Sequence, residues 1–356
     1  MLDTRLPGLM PQLQDEKNIL HGRLSSLTAK VGILSAPNKR NRMGAIVKHM
    51  DTTVAKVAEN LSDTASVLVN KHSCRAIGVI VPDITTTFFA NVIAGVEELA
   101  GHEKYMTIIC QSGEQLEKEK AAVQTLIDQH VSCIIISLSA ETAATHDTEH
   151  LKNAIDHQIK VIQFDRTDDT LGTDRVVNEV DTVMASIIHH FLAQGYRNIA
   201  CLAGPQHIDI FKKRKEAFEK FIQKMDLPAI KDNIAYYDLT RESAKNAAAK
   251  LLSKKNRPDA IVTATDLGAL GVWDVANETG LEMPKDLGLC GFSNEYYTEL
   301  VSPNITSADQ QSVEMGKAAA RLFFESLQKK KNANQEPRTI VLHPQLIVRA
   351  SSDRIQ

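Results

Sequence analysis

Residues 75–100 read RAIGVIVPDITTTFFANVIAGVEELA, and this stretch decides the fold. An apolar run rich in Ile and Val ends at Pro82-Asp83, as expected of a strand buried on both faces of a parallel sheet. Apolar residues then recur at Phe89, Val92, Ile93, Val96 and Leu99, the spacing of an amphipathic helix. A strand feeding directly into a helix is the repeating unit of a parallel α/β sheet. Open sheets of this kind bind ligands at the carboxyl ends of their strands, so the residues after Val81 are the first place to look for a site.

The unit recurs along the chain. Strand-like runs fall near 77–81, 106–110, 133–137 and 161–164, with helix-like stretches at 89–101, 115–129 and 148–157 between and after them. A second series follows, with strands near 199–202, 234–237, 260–262 and 287–290 and helices near 182–194, 211–225, 241–253 and 267–279. Two consecutive βα series predict two doubly wound parallel-sheet subdomains enclosing a cleft. The first crossover is expected near 177–179, the return near 303–307, and a final second-lobe strand near 343–349. The first 73 residues lack this alternation. They contain a polar, basic loop at 35–44 and one plausible short helix, DTTVAKVAENL at 51–61, capped by Asp51 or Thr52.

Composition narrows the class. With 24% charged and 43% hydrophobic residues, the 356-residue chain has the profile of a soluble globular protein with two or three domains. The longest apolar runs are strand-sized and no secretory signal opens the chain, so no membrane partner and a cytoplasmic location are expected. Cys74, Cys110, Cys133, Cys201 and Cys290 are scattered and odd in number, which favours buried thiols over disulfides or a metal site. Residues 1–73 carry ten Lys/Arg against six Asp/Glu, a balance of +4 against a total of −3, so the remainder sums to −7. A basic head on an acidic body fits a polyanion partner for the head, although a solvated loop is favoured over DNA contact for Lys39, Arg40 and Arg42. There is no GxSxG, HExxH or Walker-type Gly-Lys-Ser, and His189-His190 are adjacent and face different directions on a helix. No enzyme, cofactor or metal is therefore expected.

From Arg75 onward the chain resembles the LacI/GalR family of bacterial transcription regulators. The resemblance rests on IGVIVPDI with the following FFA (77–90), QGYRNIACLAGP (194–205), PDAIVTATDLGALGV (258–272), DLGLCGFSN (286–294), SPNITSADQ (302–310) and LIVRASS (346–352). It implies a core of the periplasmic-binding-protein-like type I fold, preceded by a small, mainly helical segment. It divides the chain into a head (1–60), a hinge (61–74) and a core (75–356). The first lobe would span about 75–178 and 306–334, the second about 179–305 and 335–356.

The same resemblance implies partners and site residues. The partners would be a small-molecule effector, a sugar or sugar derivative, a DNA operator, and a second copy in a homodimer. Effector contacts would come from Thr86, Phe88, Gln111, Phe164, Asp165 and Arg166 in the first lobe, Arg214 and Asp266 in the second, and Gln310 at the return crossover. Asp and Arg bind hydroxyl pairs bidentately, and an aromatic ring covers a C–H face. Each has a blander alternative: Asp266 as a helix cap, Arg214 as part of the solvated run Lys212–Lys213–Lys215, one Phe of 88 and 89 as core, Asp165-Arg166 as a surface ion pair. DNA contacts would come from Lys56, Leu68, Val69 and Lys71. Two placements of the head remain open. In one, 51–61 is its third helix and 66–73 the hinge; in the other, 52–70 is a shortened helix-turn-helix.

The chain also departs from the family pattern. Asn178-Glu179 stands where many members carry an Asp-Asp or Asp-Asn pair, Val183 where Gly is usual, and Leu239 where an aromatic often stacks on the effector. The expected helix-turn-helix opening is absent from residues 1–50. These departures predict effector binding that is altered from that of a typical sugar-binding member, weak, or absent.

Overall fold

The computed structural model describes residues 74–227, 233–328 and 336–354. All lie in one unit of the chain, residues 73–356. The proposed head, the hinge up to residue 73, and Lys56, Leu68, Val69 and Lys71 lie outside the described residues.

The opening stretch forms β1 (Cys74–Val81) and α1 (Thr87–His102). Four further strands and three helices complete most of the first lobe: β2 (Met106–Gln111), α2 (Leu116–Asp128), β3 (Val131–Ile136), α3 (Ala140–Thr145), α4 (Glu149–Asp156), β4 (Lys160–Phe164) and β5 (Asp174–Asn178). The second lobe follows as α5 (Val180–Ala193), β6 (Ile199–Ala203), α6 (Asp209–Lys224), β7 (Ile234–Tyr236), α7 (Arg241–Leu252), β8 (Ala260–Thr263), α8 (Asp266–Thr279), β9 (Gly288–Phe292), α9 (Tyr297–Leu300) and β10 (Thr306–Asp309). The chain then returns as α10 (Ser312–Gln328) and β11 (Thr339–Leu342) and ends with β12 (Gln345–Ile347).

Each lobe is built on a six-stranded sheet, in the orders β11-β5-β4-β3-β1-β2 and β12-β10-β9-β8-β6-β7. Every pairing is parallel except β10 with β12. β1 is buried on both faces, as its unbroken apolar run requires. Ile77, Val79 and Val81 pack on α1 and α10, while Ala76 and Ile80 pack on α2 and α4. The two-residue period of a strand separates these sets.

Two lobe assignments need correction. Thr306–Asp309 pairs in parallel with β9, so it belongs to the second sheet, and the chain returns to the first lobe only after Asp309. Thr339–Leu342 pairs in parallel with β5, so it belongs to the first sheet rather than the second lobe. Both are four-residue strands, and β11 is an edge strand; nothing in their own sequence records which sheet recruits them. The hinge boundary also shifts by one residue, because Cys74 already begins β1. The lobes are thus joined by three short crossovers: after Asn178, after Asp309 and after Leu342.

The α1–α10 contact ties the returning segment to the first lobe. A Cβ on Gly316 would lie 2.0 Å from the Val92 carbonyl oxygen, and one on Gly95 would lie 2.1 Å from that of Val313. These backbones touch, so neither position has room for a side chain. Gly316→Val should therefore lower stability by at least about 2 kcal/mol, read as a reduced urea midpoint at unchanged slope.

Candidate functional site

The strand ends of the two sheets frame a cavity of about 390 Å³, the size of a small-ligand site. From the first lobe come Asp83, Thr86 and Phe88 after β1, Glu114 after β2, and Asp165 and Arg166 after β4. From the second come Phe211 and Arg214 on α6, Leu239, Asp266, and Ser293, Glu295 and Tyr297 beyond β9. Gln310 enters at the return crossover.

Seven of the residues expected from the resemblance line this cavity: Thr86, Phe88, Asp165, Arg166, Arg214, Asp266 and Gln310. Two do not, and both readings are corrected. Gln111 is exposed at the end of β2, an edge strand. Phe164 is fully buried, with its ring edge-on to Phe89 at 6.3 Å. Strand alternation puts Phe164 on the core face with Ile162. Asp165 follows immediately, and its left-handed backbone (φ +56°) turns the chain at the strand end.

The two arginines are held differently. Arg166 Nη1 donates to both oxygens of Glu114, at 2.9 and 2.7 Å. Arg214 donates from Nη1 to the Ala264 carbonyl and from Nη2 to Gln310 Oε1, each at 2.5 Å, and its guanidinium lies 4.4 Å from the centre of the Phe292 ring. Burial lowers its pKa to about 10. Lys212 and Lys213 beside it are exposed, so the basic run is a solvated face from which Arg214 alone turns inward. In both arginines Nε is buried and has no hydrogen-bond partner among the described residues. The Asp165 carboxylate likewise accepts no hydrogen bond among the described residues. Burial raises its pKa, against the opposing charges of Arg166 and Arg214.

Gln310 occupies the crossover. Its carbonyl oxygen accepts from Arg214 and, at 3.3 Å, from Asn178, and its amide donates to Ser293 Oγ at 2.9 Å. Asn178 and Glu179 therefore have structural partners: Glu179 caps α5 by accepting from Asp181 N and Thr182 N. The aromatic surface that Leu239 lacks is supplied by Phe88, Phe211 and Tyr297.

Asp266 is neither a simple cap nor a free ligand group. Thr265 caps α8, its hydroxyl accepting from Gly268 N. Asp266 is fully buried; its Oδ2 accepts from Glu295 N at 2.8 Å and its Oδ1 from Ser307 Oγ at 2.7 Å. Glu295 was not anticipated. Its carboxylate crosses the cleft to accept from Thr87 N and Phe88 N, both at 3.1 Å. One clue was available: α1 has no acidic residue in its first turn to meet its exposed amides and dipole. Among the described residues, no group of three or more His, Cys, Asp or Glu could hold a metal ion, and no helix is long and apolar enough to cross a membrane.

The comparisons bear on this geometry. A family model for a periplasmic binding protein-like domain matches residues 188–352. The chain is 24% identical over 320 residues to the HTH-type transcriptional repressor PurR of Vibrio vulnificus, covering 88% of this chain and 93% of that one. It is 28% identical over 331 residues to the HTH-type transcriptional regulator DegA of Bacillus subtilis, covering 91% and 95%. Both alignments span more of the chain than residues 74–356 contain, so each reaches into residues 1–73. A LacI-family transcriptional regulator from Enterococcus faecium with bound ribose superposes with a TM-score of 0.67 at 22% identity, covering 79% of this chain and all of that one.

The state of Asp266 makes stability depend on pH. Burial raises its pKa to about 7, against about 4 in an unfolded chain. The folded state therefore binds this proton more tightly. Its contribution is greatest below about pH 4 and is lost as pH rises toward 7, by roughly 4 kcal/mol in total. Asp266→Asn can keep an oxygen toward Glu295 N and donate to Ser307, so it should flatten this part of the profile in urea titrations at pH 4, 5.5 and 7.

Proposed function

We propose that this chain, which belongs to the LacI/GalR family of bacterial transcription regulators, is a ligand-responsive transcriptional repressor. It acts in the cytoplasm as a homodimer, binding a sugar or sugar derivative between its lobes and a DNA operator through residues 1–73. One observation carries the effector half of this reading. The cavity gathers the Asp165 carboxylate, which accepts no hydrogen bond among the described residues, with the guanidinium groups of Arg166 and Arg214. A ligand hydroxyl can donate to the carboxylate and accept from a guanidinium N–H, so a polyhydroxylated ligand suits this lining, and the nearby rings cover its C–H faces. The bound ribose of the Enterococcus faecium regulator supports the same ligand class.

The DNA half rests on two observations. Residues 1–73 carry a +4 balance, and the alignments with two helix-turn-helix regulators extend into that segment. A dimer would bring two heads to a near-palindromic site, and ligand-dependent movement of the lobes would change their spacing. A second reading, a cytoplasmic sugar-binding sensor with a non-functional head, is favoured by the absence of the family's usual helix-turn-helix opening from residues 1–50.

Two measurements test these halves. Full-length protein should enrich one near-palindromic site from sheared genomic DNA, more strongly at low than at moderate salt, while a chain starting at Arg75 should not. Equal enrichment by both chains rejects the DNA role of residues 1–73, and no enrichment by either leaves the sensor. Asp165→Asn should weaken binding of the best sugar found in a calorimetric screen by about 10- to 100-fold, the cost of losing a charged hydrogen-bond acceptor.

A further inference from the structure

α1 presents its amino terminus to the cavity, and in an empty cleft its first amides would form a ready anion site. Here those amides are already engaged. Thr87 N and Phe88 N donate to Glu295, Phe89 N donates to Thr86 Oγ1, and Ala90 N begins the helical ladder on Thr86 O. The carboxylate comes from the opposite lobe and is buried. Its own backbone amide is tied to Asp266, so its position is fixed from behind. α6 and α8, whose first turns also line the cavity, carry Asp209 and Asp266 in those turns.

The remaining charges point the same way. Arg166 is taken up by both oxygens of Glu114. That leaves Arg214 sharing one chamber with the carboxyl groups of Asp83, Asp165, Asp266 and Glu295. A phosphate or carboxylate entering the chamber meets this excess of negative charge and finds no free helix amide at α1. The Asp165 carboxylate, which accepts no hydrogen bond among the described residues, calls for a donor in the ligand, and the guanidinium groups beside it call for an acceptor.

We propose that Glu295 is a specificity-determining residue: it fills the anion position at the α1 amino terminus, so the cleft accepts neutral polyhydroxylated ligands and rejects their phosphate esters and acids. The proposal rests on the reading of this cleft as an effector site and deepens it.

The test is isothermal titration of the full-length chain with ribose and ribose 5-phosphate, glucose and glucose 6-phosphate, and inorganic phosphate alone. Wild type is compared with Glu295→Gln and Glu295→Ser. Wild type should prefer the neutral member of at least one pair by tenfold or more and show no phosphate binding. Glu295→Ser, which frees the α1 amides, should gain at least tenfold in affinity for phosphate or an ester. Glu295→Gln, nearly the same shape without the charge, should show a smaller gain in the same direction, and it decides the question if Glu295→Ser does not fold. A wild type that prefers the esters, or variants that gain no anion affinity, overturns the proposal, even if neutral sugars bind. Phosphate binding gained by a variant of a wild type that binds no sugar upholds the anion-position assignment and instead removes the sugar-effector reading.

Discussion

The cleft depends on a chain of buried carboxylates that begins at Asp266. Its two oxygens accept from Ser307 on β10 and from the backbone of Glu295 beyond β9, so two segments of the second lobe are held to the start of α8. Glu295 extends the chain across the gap to α1. A buried carboxylate is costly unless its hydrogen bonds are met, and at Asp266 the bonds to Glu295 and Ser307 offset only part of that cost, since burial still raises its pKa to about 7. Close packing leaves no slack: a Cβ on Gly291 would lie 2.0 Å from Asp266 Oδ1. The sequence GFSNE at 291–295 is therefore constrained by the same carboxylate that lies at the base of the cavity.

The crossover provides a second, independent tie. Gln310 leaves the second sheet and at once joins Asn178 at the end of β5 to Arg214 and Ser293. Arg214 thus has its Nη2 directed by a residue that belongs to the connection itself. Movement of the lobes about the three crossovers would alter this contact and the Glu295 contact together. That is the kind of discrete rearrangement through which a small ligand can be read at a distance.

Much of the fold was legible because the strongest signals are local. The double-sided burial of β1 and the helical spacing of α1 are written within residues 75–100. Lobe membership after Ser302 was not local. β10 and β11 are four residues each, and which sheet recruits them depends on partners far away in sequence. The site divided along similar lines. Arg214 among lysines, Asp165 beyond β4 and Gln310 after β10 were found through motif resemblance, and the cavity gathers them. Phe164 was misjudged by one step of strand alternation, and Gln111 because nothing local marks β2 as an edge strand. Glu295 was missed because its role appears only when an amide-rich helix start lacking an acid of its own meets a carboxylate from the other lobe.

The interlobe contact also limits how a ligand can act. A ligand shifts an equilibrium only by its differential affinity for the two arrangements. The hydrogen bonds from α1 to Glu295 already favour the approximated lobes without any ligand contact. What remains for a ligand is the Asp165 carboxylate, which accepts no hydrogen bond among the described residues, and the guanidinium groups of Arg166 and Arg214. Asp165 and Arg166 lie on the first lobe and Arg214 on the second, so a ligand that meets them all must touch both. A response to such a ligand would add a few oriented polar contacts to the apolar ones. A ligand lacking hydroxyls at those points would forgo the polar contacts and keep only those to rings such as Phe88, Phe211 and Tyr297.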